Sequence, residues 1–104
     1  MLSNQIAHLF IKIPLFDLSK SGIMDEKEKE RKERLQLQKK FGEHLIMLRK
    51  SIGITPAELA RRCYMERSNI ARLETGRSNP SLYVLKKLSI GMDIKLEELL
   101  KGFN

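Results

Sequence analysis

The chain has 104 residues, with 20 Lys and Arg against 13 Asp and Glu, for a formal net charge of +7. That length sets one small domain plus a tail, and a chain 41% hydrophobic and 32% charged is too apolar to be wholly disordered. Four Phe, two Tyr and no Trp leave a compact core of aliphatic side chains and argue against a large enzyme with a deep cleft.

Cys63 is the sole cysteine and cannot close an intramolecular disulfide. With only His8 and His44 beside it there is no ligand cluster spaced for zinc, so neither a metal nor a cofactor is expected, and the expected compartment is the reducing cytoplasm. The longest apolar stretch, Ile6 to Leu18, is interrupted by His8, Lys12, Pro14 and Asp17. It is too short and too polar for a membrane span and lacks the basic stretch that precedes a secretory segment, so no membrane partner is expected.

Three blocks follow in chain order. Residues 1–24 form an N-terminal extension in which Ile6, Leu9, Phe10 and Ile13 have the spacing of a short amphipathic helix ended by Pro14. That helix would dock on the core or on a second copy; equally, Met24 opens the segment that leads into the folded domain, and residues 1–23 can be an extension with no role. Residues 25–40 interleave Asp and Glu with Lys and Arg at helical spacing, with no apolar side chain before Leu35, and read as a solvated helix or a disordered segment. The apolar spacing of Phe41, Leu45, Leu48 and Ile52 lands on Gln38 and Arg34 when extended backward, so no coiled-coil seam is encoded.

Residues 41–104 carry the specific signals. Phe41, Leu45, Leu48 and Ile52 make one face of a first helix, which Gly53 ends. Thr55-Pro56-Ala57-Glu58 is a capping box with Pro at the first helical position, starting a second helix of about two turns whose buried side is Ala57, Leu59, Ala60 and Cys63. Tyr64-Met65-Glu66 breaks the periodicity. Ile70 and Leu73 resume it in a third helix from about Arg67 to Thr75, ended near Gly76. Ser81 caps a fourth helix with Leu82, Leu85, Leu88 and Met92, and Leu96, Leu99, Leu100 and Phe103 suggest a fifth. Five short helices without a strand pattern predict an all-α domain.

Two short helices across a three-residue turn, the second polar along one edge, make a helix-turn-helix. In the third helix Ile70 and Leu73 supply the buried edge, and Arg67, Ser68, Asn69 and Arg72 supply the opposite one. Arg pairs with guanine O6 and N7, and Asn with adenine N6 and N7, so that edge has the chemistry to read bases in the major groove.

The ordered set Leu48-Arg49, Thr55-Pro56-Ala57-Glu58-Leu59-Ala60, Ile70-Ala71-Arg72-Leu73-Glu74-Thr75-Gly76, Asn79-Pro80-Ser81 and Leu96-Glu97-Glu98-Leu99 resembles the lambda-repressor-like helix-turn-helix family, the phage repressor, Cro and XRE group. The resemblance covers roughly Phe41 to Phe103 and implies a five-helix DNA-binding domain whose second helix crosses the phosphate backbone while the third enters the major groove. It implies base contacts from Arg67, Ser68, Asn69 and Arg72, and phosphate contacts from Thr55, Pro56, Thr75, Arg77 and Ser78. Arg49 and Glu74 match a structural salt bridge between the first and third helices. The partner implied is double-stranded DNA with a near-palindromic operator, bound by a homodimer whose half-sites lie about 34 Å apart.

Three positions depart from the family pattern. Pro56 stands where a Gln usually contacts phosphate, Tyr64 where Gly usually holds the turn, and Glu66 where Ser, Thr or Asn usually caps the third helix. Arg61, Arg62, Lys86 and Lys87 are read equally as phosphate contacts or as solvated charge, and Cys63 as a core thiol. Tyr64 and Tyr83 are too scattered for a single-strand stacking platform. No nucleophile, base and acid set or phosphate loop is present, so the chain is read as a nonenzyme. The reading is therefore a transcriptional repressor; the alternative is an antitoxin, which binds a partner protein and represses its own operon on the same fold.

Overall fold

Ser81, Thr55 and the helix-ending glycines do locally what their sequence positions suggest, and the computed structural model, which describes residues 23–103, has five helices. These are α1 (Ile23–Ser51), α2 (Pro56–Arg62), α3 (Arg67–Glu74), α4 (Leu82–Met92) and α5 (Leu96–Leu99). There is no strand among the described residues. The amphipathic pattern around Ile6 to Ile13 lies outside them.

The chain divides into two units, Met1–Glu33 and Arg34–Asn104. The described part of the first is the start of α1, exposed throughout residues 25–33. Glu, Lys and Arg are good helix formers, and Asp25 and Glu26 in the first turn with Arg49 and Lys50 in the last match the macrodipole at both ends. Helix α1 passes through residues 40 and 41 without a break. Its buried surface opens at Gln38, one turn before Phe41, because this side chain meets a carbonyl of a neighbouring element rather than an apolar partner.

In the second unit each helix places one aliphatic side chain at the centre: Leu45, Leu59, Ile70, Leu88 and Leu99 are all fully buried. Each stabilises by about 1.5–3 kcal/mol against exposure. Phe41, Ala60, Cys63, Leu73 and Met92 complete the core, and Leu48, Val84, Leu85 and Phe103 pack on its edge. Three residues expected inside are outside. Ala57 is exposed because it lies about 110° around α2 from the middle of the Leu59, Ala60 and Cys63 face. Leu82, on the first turn of α4, lies roughly 90° from the side formed by Leu85, Leu88 and Met92. Ile52 follows the last residue of α1, where the chain has already turned away.

The ends of α1, α2, α3 and α4 share one geometry, in which a residue with positive φ donates three positions back and its successor donates five back. Gly53, Tyr64, Gly76 and Asp93 hold that position, with φ of 74°, 53°, 75° and 55°. Tyr64 therefore keeps the left-handed turn of the helix-turn-helix in spite of its Cβ, with its side chain 90% exposed. Lys87 of α4 supports this turn by donating from Nζ to the Tyr64 carbonyl at 3.2 Å.

Candidate nucleic-acid interface

Helix α2 starts where Thr55 Oγ1 accepts from the Glu58 amide at 3.1 Å, with Pro56 in the first turn. The return half of the expected capping box is absent, because Glu58 is engaged elsewhere: Arg61 donates to it at 3.0 Å from Nε and Arg62 at 3.2 Å. These hydrogen bonds, Arg61 first, hold the Glu58 carboxyl down to about 2, so it stays ionised on an exposed surface and partly neutralises both arginines. Glu66 precedes α3 in an extended conformation without a side-chain capping bond, since its carboxylate is turned to the Ser68 hydroxyl at 3.5 Å.

Helix α3 has two edges. Ile70 and Leu73 are buried against the core, while Arg67, Ser68, Ala71 and Arg72 are exposed and Asn69 is half-buried. The Arg72 guanidinium donates to the Asn69 side-chain oxygen, which ties two candidate base readers together. Ser78 is half-buried on the following loop and Arg77 is exposed there. Thr75, expected to meet phosphate, is exposed and donates its hydroxyl to the Ala71 carbonyl at 2.8 Å.

The C-terminal half of α3 is held against α1 at three points that differ in chemistry. Arg49 grips Glu74 with two parallel bonds, Nε to Oε2 at 2.6 Å and Nη2 to Oε1 at 3.2 Å, and its remaining nitrogen donates to the Ile54 carbonyl at 2.9 Å. Gly42 meets the α3 backbone directly: a Cβ there would stand 2.5 Å from the Glu74 carbonyl oxygen and 2.6 Å from that of Leu73. The Gln38 amide donates to the Gly76 carbonyl at 3.1 Å. Of these only the ion pair was anticipated. A glycine inside a helix former is the signal that marks Gly42, whereas nothing in sequence links Gln38 to a loop 38 positions away.

Cys63 is buried at the end of α2, and burial pushes its thiol up against the lowering influence of Lys87 and Arg62, so the thiolate that redox chemistry requires is disfavoured. His44 is half-buried, with its ring inclined to that of Phe103 and the two ring centroids 5.5 Å apart. Among the described residues no group of His, Cys, Asp or Glu is placed to hold a metal ion, and no helix is long and apolar enough to cross a membrane.

A family model described as helix-turn-helix matches residues 45–99, the stretch that holds both edges of α3 and the Arg49–Glu74 pair. The chain belongs to the lambda-repressor-like, XRE-type helix-turn-helix family. Members of this family are DNA-binding transcription regulators and not enzymes. The helix-turn-helix chain is 34% identical over 62 residues to the HTH-type transcriptional activator BcrR of Enterococcus faecalis, a match covering 60% of this chain and 30% of that protein. It thus spans less than a third of that relative. A solved structure, the restriction-modification controller protein C.AhdI from Aeromonas hydrophila, is similar with a TM-score of 0.58 and 35% identity, over 60% of this chain and 94% of that one.

Proposed function

We propose that this helix-turn-helix protein is a sequence-specific, double-stranded-DNA-binding transcriptional regulator, acting in the cytoplasm as a homodimer on a near-palindromic operator and repressing by covering it. The observation that carries the reading is the two-sided α3: an apolar edge fixed to the core and clamped to α1, opposite an exposed edge bearing Arg67, Ser68 and Arg72 beside Asn69. Base edges are read by that outer side, with Arg72 paired to guanine and Asn69 orienting it. Thr55, Thr75, Arg77 and Ser78 flank it at the start of α2 and after α3, where they fix register on phosphates without reading sequence, while Pro56, which has no N–H to donate, only shapes the start of α2. Net charge of +7 supplies the salt-dependent part of the affinity through counterion release.

Selection of bound duplexes from a random pool at stated salt tests this. A two-fold symmetric consensus supports the dimeric reader, and failure to enrich any sequence refutes it. On the selected site Arg72→Ala should cost about 1–3 kcal/mol and relax preference at one base position. Equal weakening on cognate and random duplexes removes Arg72 from the readers. A reporter under the selected operator decides the sign: a fall in expression supports repression, a rise overturns it.

A further inference from the structure

The loop that follows α3 does not project freely into solvent. Gly76 takes φ of 75°, and a Cβ on it would stand 2.8 Å from the Lys39 Cα and 3.1 Å from the Lys39 nitrogen, so the loop backbone lies directly on α1. The Gln38 amide fastens it there through the Gly76 carbonyl. The next residue is Arg77, whose amide bonds the Arg72 carbonyl at 2.9 Å and whose side chain is exposed, as is that of Lys39. Two exposed cations are thus carried by backbones in van der Waals contact. Neither has a carboxylate within 4.0 Å among the described residues: Glu74, the acid closest in sequence to the loop, is taken by Arg49, and Glu43, one turn along α1 from Lys39, makes no ion pair.

Cations without a carboxylate partner on adjoining backbones are free to neutralise the phosphates of a duplex. We propose that Lys39 of α1 and Arg77 of the loop form one phosphate-binding subsite on the duplex backbone beside the base-reading edge, with Gln38 positioning the loop. The inference rests on the DNA-binding reading above and deepens it, because it extends the interface from the helix-turn-helix to the long first helix. Lys39 supplies a point charge on a flexible stem and Arg77 a planar fork, so the two neutralise neighbouring phosphates of one strand.

The test is the salt dependence of binding by the full chain to its selected duplex, for wild type, Lys39→Ala, Arg77→Ala and Lys95→Ala, the last removing one positive charge at the α4–α5 connection. Thermal melts show whether each variant is folded. Each phosphate released lowers the slope of log K against log salt by about 0.9, so Lys39→Ala should reduce the affinity change between 50 and 200 mM salt by about 3.5-fold per half-site. Its ranking of cognate over random duplexes should stay as in wild type. Lys95→Ala should keep the wild-type slope. An unchanged slope for a folded Lys39→Ala, or an equal fall for Lys95→Ala, overturns the subsite while leaving the DNA-binding reading intact. A wild-type chain that binds no duplex overturns both.

Discussion

Replacing Arg49 by Ala removes a guanidinium that uses all three of its nitrogens, two on the Glu74 carboxylate and one on the Ile54 carbonyl. The side chains of both partners are about nine-tenths buried, with exposures of 10% and 9%, so water cannot take over the carboxylate left behind. Breaking a buried pair on one side costs about 3–5 kcal/mol. A unit of this size is stable by only roughly 4–11 kcal/mol at the usual 0.05–0.15 kcal/mol per residue, so Arg49→Ala should lose about a quarter of its stability or more. The melting temperature should fall by about 4–8 °C for each kcal/mol lost. Urea and thermal unfolding followed by far-UV circular dichroism measure this directly. The companion variant, Arg49→Met with Glu74→Leu, fills the same space without charge and should match wild type or exceed it by up to about 4 kcal/mol. If Arg49→Ala melts with wild type, the pair is not buried in solution. If the double variant is as damaged as the single one, the loss is one of shape, and the charge argument fails.

Gly42→Ala should destabilise by about 1–3 kcal/mol, since its methyl group would meet two α3 carbonyls that cannot move without shifting the helix; a melt unchanged from wild type would show that α1 and α3 are further apart. Glu58→Gln frees Arg61 and Arg62, and should strengthen binding to any duplex and steepen its salt slope; an unchanged slope would mean that these arginines do not meet phosphate. Because the Glu58 carboxyl is depressed, its stabilising contribution is complete above pH 4.5 and fades as pH falls towards 2. Wild type and Glu58→Gln should therefore converge in acid titrations over that window, and a gap that persists below it contradicts the ion pairs as its source. Tyr64→Gly should stabilise by about 0.5–1 kcal/mol, as relief of the left-handed strain exceeds the extra chain entropy of glycine; a loss of stability would reveal that the exposed ring is packed in solution.

The chain by itself determined most of the helix positions and the outer edge of α3, for a local reason. Thr55 and Ser81 cap their own helices, Pro56 is tolerated only in a first turn, and Gly53 and Gly76 accept a positive φ wherever they sit. The alternation of Ile70 and Leu73 with Arg67, Ser68 and Arg72 likewise specifies which side of a helix faces inward before any partner is known. What holds α3 in place was decided by contacts that are distant in sequence. Gln38 looked like the end of an apolar seam, and Lys39 like one more charge on a solvated helix, until the loop after α3 folded back onto them. The same holds for Thr55 and Glu58, where a capping box was legible but Arg61 and Arg62 compete for the carboxylate and win it by charge. Periodicity and caps act over a few residues and can be read along the chain, whereas which polar groups meet across 38 positions depends on how helices pack, and no short-range pattern encodes it.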